Sequence, residues 1–212
     1  MTELLLVGAS GLAREVLTLL RNRPEYAPVG ILDDLPELQG SSVDGVPVLG
    51  GLDQVARHPL AQLVLCVGQG SERARILDRL TALGVAATRY ATVVHPGVEL
   101  PADCEVGSGS VLLAGVVLTA VVRIGRHVVV MPNSTLTHDV VVEDFATLCA
   151  GVALGGGVHV GRAAYIGMNA SVRERVTIGP GAILGMGAAL LTELPAGETW
   201  VGVPAAPADR SR

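Results

Sequence analysis

A six-residue repeat governs the second half of this 212-residue chain. Every sixth residue from Val94 to Leu190 is Val, Leu or Ile, at seventeen consecutive positions. Aliphatic residues fill roughly a third of the positions of an average protein, so chance agreement over such a run is negligible. The residue four places after each of these aliphatics is Val, Cys, Ser or Ala as far as Ala188. This repeat constrains the fold more strongly than any other feature of the sequence.

A period of six fits neither an α-helix nor one continuous β-strand, but it fits one side of a triangular coil. A strand of about four residues and a short turn make one side, and three sides complete a coil of a parallel β-helix. The repeated aliphatics then stack inside the coil, and the small residues four places later fill its corners. Gly follows the aliphatic in several repeats, as at Gly107 and Gly155, which suits a positive φ or close packing at the corner. Residues 92–206 are therefore predicted to form an all-β parallel β-helix.

Residues 1–91 show a different pattern, in which short apolar strands alternate with amphipathic helices. The strands are predicted at 3–7, 29–32, 46–49 and 63–67. Apolar residues at helical spacing follow Leu12, and a second helix is predicted from an N-cap at Ser71, with a buried stripe that ends at Leu83. Strands that alternate with helices predict a parallel sheet with helices on its faces, and hence an α/β domain. Residues 207–212 are predicted to be a disordered tail.

Composition excludes several classes of partner. The chain is 50% hydrophobic but only 2% aromatic, so it lacks an aromatic platform on which single-stranded nucleic acid stacks. Its net charge of −5 disfavours a phosphate backbone. No apolar run is long enough for a membrane span, and the three cysteines lack the spacing of a disulfide framework or a thiolate zinc site. A cytoplasmic protein without nucleic-acid, membrane or metal partners is expected.

Four segments add to the hexads. They are Val7-Gly8-Ala9-Ser10-Gly11, Leu32-Asp33-Asp34, Thr137-His138-Asp139 and Val201-Gly202-Val203-Pro204-Ala205. Together they resemble the hexapeptide-repeat acetyltransferases, in particular the bacterial sugar-nucleotide N-acetyltransferases and sialic-acid O-acetyltransferases. The resemblance covers residues 3–206. It implies a Rossmann-like sugar-nucleotide-binding domain, then a left-handed β-helix, in a homotrimer that holds acetyl-CoA between adjacent subunits.

His138 is the predicted general base. Gly156 holds the same hexad position one coil later, so the two residues should be stacked neighbours, about 4.8 Å apart. A histidine can take the proton that the acceptor loses as it attacks acetyl-CoA. The resemblance implies that Asp139 raises the basicity of this histidine and that the Gly156 N–H stabilises the oxyanion. Because no nucleophilic triad is evident, direct transfer in a ternary complex is predicted.

The donor-binding residues are predicted from register and from the resemblance. Met168 and Met186 are also third residues of their hexads, one coil apart, and form a column on another face that would line acetyl-CoA. Thr147 stands where relatives often have a second histidine near acetyl-CoA, and its hydroxyl can still form a hydrogen bond. Asn169 matches a family asparagine near the acetyl group or stacks in a corner, and both interpretations stay open.

The turns of the first domain carry the predicted substrate residues. They are Gly8, Ser10, Gly11, Leu12, Asp33, Asp34, Gly68 and Gln69. The first turn is not the GxGxxG motif, but a tight turn at a helix N-terminus suits a phosphate. The resemblance implies that the aspartates address the uracil or ribose of a nucleotide-sugar; a solvated strand end is the alternative. Leu12 stands where many relatives have a histidine. Arg73, in the second predicted helix, is expected either on a solvated helix face or in contact with a phosphate.

The preferred function is acetylation of the amine of a nucleotide-linked amino sugar by acetyl-CoA. Sialic-acid-type O-acetylation is the nearest alternative, and a non-catalytic solenoid scaffold, which would not need the His138 register, is an alternative of another class. Carbonic anhydrases of the same fold hold zinc through three histidines across a trimer interface. His127, His138 and His159 do not match that spacing, and the first and last are expected at the surface or in corners.

Overall fold

The computed structural model describes residues 1–208 of the chain, so residues 209–212 of the predicted disordered tail lie outside this range. The first two residues of that tail are ordered instead, because Pro207 belongs to a strand and the Ala208 N–H donates to the Thr199 carbonyl at 2.7 Å. Its N-terminal elements are β1 (Thr2–Val7), α1 (Gly11–Leu20), β2 (Tyr26–Leu32), β3 (Ser42–Val43), β4 (Val46–Gly50), β5 (Gln62–Leu65) and α2 (Gly70–Ala82). They form a sheet of order β3-β4-β2-β1-β5, in which only the β3–β4 pair is antiparallel. The predicted Rossmann-like α/β domain is confirmed.

The N-termini of the two helices differ, because α1 has a side-chain cap and α2 has none. The Ser10 hydroxyl accepts a hydrogen bond from the Leu12 N–H at 3.1 Å, which caps α1, and the predicted apolar stripe of α1 is buried. α2 begins at Gly70 rather than at an N-cap Ser71, and no side chain caps it. Its predicted stripe is only partly buried, because Leu83 is half exposed while Leu80 is fully buried.

The second unit is a left-handed parallel β-helix, as predicted. Its strands are β6 (Val93–Val94), β7 (Glu105–Val106), β8 (Val111–Leu112), β9 (Val117–Leu118), β10 (Arg123–Ile124), β11 (Val129–Val130), β12 (Thr135–Leu136), β13 (Val141–Val142), β14 (Thr147–Leu148), β15 (Ala153–Leu154), β16 (His159–Val160), β17 (Tyr165–Ile166), β18 (Ser171–Val172), β19 (Thr177–Ile178), β20 (Ile183–Leu184), β21 (Ala189–Leu190), β22 (Thr199–Val201) and β23 (Ala206–Pro207). From β6 to β21, each strand pairs with the strand eighteen residues away, for example Leu136 with Leu154.

The strands form three sheets, which we call face 1, face 2 and face 3 in the order in which the chain runs through them. Face 1 is β6-β8-β11-β14-β17-β20-β22-β23, face 2 is β9-β12-β15-β18-β21 and face 3 is β7-β10-β13-β16-β19. The repeated aliphatics point inward: Leu136, Leu148 and Val160, one from each face, are fully buried. Because these strand residues are buried, side chains at the corners between the faces are the ones that can project into solvent.

From residue 109 to residue 187, the corners turn through the fourth residue of each hexad, not through the glycine that follows the aliphatic. His127, Asp139 and Asn169 have left-handed φ values of 54°, 60° and 55°. Gly155 is required for another reason, because a Cβ there would lie 2.6 Å from the Glu174 N of the next coil. Of the two explanations predicted for these glycines, close packing applies here.

The corner between faces 3 and 1 contacts the first domain. His127 lies in this corner, one of the two places expected for it, but it is buried: its ring stacks on Phe145 with centroids 5.2 Å apart, and Tyr90 meets it edge-on at 4.8 Å. Burial lowers the pKa of His127 to about 4, and the nearby Arg126 and Arg73 act in the same direction. Asp144 opposes them. His127 is therefore neutral in the folded protein at neutral pH.

We expect His127 to make the protein less stable in mild acid. The unfolded chain takes up a proton near pH 6.5, whereas the folded chain takes it up only near pH 4. The associated stability is thus fully present above about pH 6.5 and is lost as the pH falls towards 4, by up to about 3 kcal/mol. His127→Phe, which keeps the stack, should flatten this part of the pH dependence in urea unfolding at fixed protein concentration. His159→Phe is the control; an unchanged slope in His127→Phe contradicts the prediction.

Candidate active site

His138 lies at the corner between faces 2 and 3, with its side chain 67% exposed. Its Nδ1 is 2.8 Å from Asp139 Oδ2. A carboxylate accepts but does not donate, so this contact assigns the ring proton to Nδ1 and leaves the lone pair of Nε2 free. The main-chain N–H of Asp139 is held by the carbonyl of Ala120 at 3.0 Å. The pair can accept a proton from a molecule in solvent-accessible space.

Gly156 lies directly beneath the His138 ring, in the register that the sequence predicts. A Cβ on Gly156 would lie 2.4 Å from both Cε1 and Nε2 of the ring. The Gly156 carbonyl accepts a hydrogen bond from the Arg175 N–H at 2.9 Å, and the Gly157 N–H donates to the His138 carbonyl at 2.8 Å. Within residues 1–208 the Gly156 N–H donates to no other residue. A free main-chain donor therefore lies beside the free nitrogen of the histidine.

A groove of about 830 Å³ runs between α1 and face 1. It is bordered by Met168 and Met186, and Met186 is 76% exposed. Glu15, Cys149 and Tyr165 also line it, although nothing in their spacing along the sequence marks them as groove residues. The pKa of Tyr165 is raised to about 12 by its hydrogen bond with Cys149 and by burial, and burial raises the pKa of Glu15. The groove offers a mainly apolar wall with few polar groups, which suits a flexible, weakly polar chain.

Two residues predicted to touch ligands are placed differently. Leu12 is buried in the core between α1 and the sheet, where its side chain cannot reach a substrate. Thr147 is buried, and its hydroxyl donates to the Gly68 carbonyl at 2.7 Å, so it does not line the groove. Asn169 is exposed, and its Oδ1 lies 2.1 Å from where a Gly151 Cβ would stand, which agrees with the corner-stacking interpretation. Its contact with the acetyl group stays a prediction.

The turn after β1 and the end of β5 are braced against each other. The Ser10 hydroxyl donates to the Cys66 carbonyl at 2.6 Å. Gly8 has φ +101°, and a Cβ there would lie 2.7 Å from Val67 Cγ2, so no other residue fits. The exposed turn of Gly68 and Gln69 follows β5. These turns lie where the strand order reverses, between β1 and β5, which is the crevice that binds ligands in open α/β sheets.

Both aspartates after β2 accept hydrogen bonds from other residues of the chain. Asp33 Oδ2 accepts a hydrogen bond from the Ala9 N–H at 2.8 Å, so it shapes the first turn. Asp34 Oδ2 is 2.6 Å from Arg79 Nη1, and this bond holds the pKa of Asp34 below its usual range. Their first role is to fix the turns of the crevice, and any contact with a base or ribose would use their remaining lone pairs.

The predicted site residues form separate clusters on one chain. His138 and Gly156 occupy one edge of face 2, while Met168 and Met186 occupy the opposite edge, at the corner between faces 1 and 2. A whole sheet thus separates the histidine from the groove. Within residues 1–208, no group of three or more His, Cys, Asp or Glu could hold a metal ion, and neither helix is long and apolar enough to cross a membrane.

Comparison with known proteins gives consistent matches over both units. The family described as the PglD N-terminal domain matches residues 3–80. The acetyltransferase domain of PglB from Neisseria gonorrhoeae FA1090 is 29% identical, with a TM-score of 0.89 over 98% of this chain and 100% of that one. That domain has also been solved in complex with acetyl coenzyme A. No curated protein sequence matches the chain.

Two further solved structures are similar along nearly their whole length. GDP-perosamine N-acetyl transferase from Caulobacter crescentus is 27% identical, with a TM-score of 0.89 over 99% of this chain and 98% of that one. A histidine-to-alanine mutant of that enzyme is in complex with CoA and GDP-perosamine. WeeI from Acinetobacter baumannii AYE is 29% identical, with a TM-score of 0.80 over 98% of this chain and 100% of that one.

Proposed function

We infer that this chain, a hexapeptide-repeat acetyltransferase with a PglD-type N-terminal domain, acetylates the amine of a nucleotide-linked amino sugar. The predicted enzyme class, an acetyl-CoA-dependent sugar acetyltransferase, is confirmed by the full-length likeness to such enzymes. Acetyl transfer to a nucleotide-linked amino sugar follows from the same likeness.

The observation that carries the proposal is the His138–Asp139 pair above Gly156. A base with a free nitrogen and a neighbouring free N–H donor is what acyl transfer from a thioester requires. At this corner the His138 side chain is exposed, and the Gly156 N–H has no acceptor within residues 1–208. A pure scaffold has no use for this arrangement, so we prefer an enzyme over the scaffold alternative.

The reaction proceeds in one ternary complex. The acceptor amine attacks the thioester carbonyl carbon and passes its proton to His138 Nε2, while Asp139 holds the ring through Nδ1. The Gly156 N–H donates to the oxygen that becomes negative. When the carbonyl re-forms, the C–S bond breaks, and the thiolate of CoA takes the proton from the histidine. The products are the acetamido sugar and free CoA.

The complete site lies between subunits in this proposal. Because a whole sheet separates His138 from the methionine-lined groove, one chain cannot bring both to one thioester. A symmetric homotrimer would place His138 of one subunit against the groove of its neighbour. Acetyl-CoA would lie along Met168 and Met186, and the nucleotide in the crevice near Gly68 and Gln69. We place the reaction in the cytoplasm, as expected from the sequence.

A panel of acceptors tests the function. Free CoA release should be measured with UDP-, GDP- and dTDP-linked amino sugars and with free sialic acid, each with acetyl-CoA. We expect turnover with at least one nucleotide-linked amino sugar and none with sialic acid. Turnover with sialic acid alone would establish the O-acetylation alternative, and no CoA release with any acceptor would overturn the proposal.

A further inference from the structure

Arg73 is a fully buried cation with no carboxylate partner in residues 1–208. Its guanidinium donates at 2.6–3.0 Å to the carbonyl oxygens of Val67, Gly68, His127, Phe145 and Ala146 and to the Thr147 hydroxyl. Burial lowers its pKa to about 10, so it stays charged at neutral pH. A buried charge is costly to desolvate, and an apolar side chain of similar volume would often stabilise a fold as well or better. Packing alone therefore does not explain why a charged arginine occupies this buried position.

These acceptors belong to two different units. Gly68 belongs to the exposed Gly68–Gln69 turn, which borders the proposed nucleotide crevice, and Val67 directly precedes this turn. The others lie in the solenoid, on the two coil turns at the corner between faces 3 and 1 and at the start of β14. Only a planar guanidinium presents enough donors in a fixed fork to hold both sets of carbonyls at once.

Thr147 and Gly70 tighten the same junction. The Thr147 hydroxyl donates to the Gly68 carbonyl at 2.7 Å, so this carbonyl receives hydrogen bonds from both Thr147 and Arg73. A Cβ on Gly70 would lie only 2.0 Å from the Phe145 carbonyl oxygen, so the start of α2 is pressed against the solenoid corner. The turn that borders the crevice is therefore attached to the rigid solenoid rather than only to its own domain.

We propose that Arg73 is a positioning residue that fixes the Gly68–Gln69 turn relative to the solenoid, and so sets where the acceptor is held. This inference rests on the proposed function for its kinetic consequence. A sugar attached to a nucleotide in the crevice can meet the thioester only if the crevice has a fixed place relative to the solenoid. Misplacement by about 1 Å can cost around 100-fold in rate.

The test compares three variants of the full-length protein. Arg73→Lys keeps the charge but loses the fork, Thr147→Val removes one donor to the Gly68 carbonyl, and Arg75→Lys is the matched control. Arg75 lies on the same helix but is exposed and pairs with Glu72. Hydrogen exchange of the segment 67–72 reports the turn without any substrate. Steady-state kinetics with the productive acceptor from the panel report its placement.

We expect Arg73→Lys to speed exchange at 68–70 by about tenfold or more and to raise the acceptor KM by about tenfold. The acetyl-CoA KM should change less than about twofold. Thr147→Val should act in the same direction but less, and it decides the question if Arg73→Lys does not fold. A lower melting temperature with unchanged exchange and acceptor KM would overturn the proposal. If no acceptor is found, exchange alone still tests the anchoring of the turn.

Discussion

Replacement of His138 by alanine should lower kcat by about 10²- to 10⁴-fold, the contribution that a well-placed general base makes. The ring is mostly exposed, above Gly156 and beside Asp139, so the melting temperature should stay close to that of the unaltered protein. KM values for acetyl-CoA and acceptor should change little, because the ring acts on the proton rather than on binding. Steady-state CoA release and thermal unfolding check these expectations together.

His159→Ala is the matched control for this prediction. His159 is another solenoid histidine that meets a carboxylate, with Nε2 2.8 Å from Glu143 Oε1, but it lies on face 3 and not above a glycine. We expect its kcat to stay within about twofold of the unaltered enzyme. If His138→Ala retained more than about a tenth of the activity, the assignment of the base would fail.

The coils could be predicted because each of the seventeen hexads carries the same local pattern of residues. An interior of fixed cross-section accepts an aliphatic such as Leu136 on each side and a small residue such as Val140 at each corner. The same arithmetic places His138 over Gly156, since residues eighteen apart are neighbours in every coil. It did not locate the positive φ, because the turn geometry depends on the fourth residue of the hexad, which has no fixed type in this sequence.

The contacts between the two units could not be predicted from any local pattern. Arg73 donates to the Phe145 carbonyl, which is 72 residues away along the chain. Nothing in the sequence around an arginine on a polar helix face indicates such a partner. The same holds for Thr147. The resemblance implies a place near acetyl-CoA, but its hydroxyl is buried against Gly68 and Arg73. The burial of His127 in its corner could not be predicted either, because Tyr90 of the first domain packs against its ring there.

Gly156→Ala should lower kcat about as much as removal of the histidine ring, although it adds only one methyl group. The new Cβ would lie 2.4 Å from two ring atoms, so the ring must rotate away and lose its contact with Asp139. The corner itself does not require glycine: Gly156 lacks a positive φ, and most third hexad positions, such as Ala120 and Ala150, carry a side chain. We therefore expect kcat to fall by about 100-fold with little change in melting temperature.

A double variant separates this steric effect from a loss of the corner. In a His138→Ala background no ring lies above Gly156, so Gly156→Ala should cost neither stability nor much further activity. The two substitutions should thus be strongly non-additive, as expected for residues in direct contact. Additive losses of kcat would mean that the glycine acts independently of the ring, for example through an N–H whose direction the methyl group alters. Full activity in the single Gly156→Ala variant would show that the ring position in this structure is not the one used in catalysis.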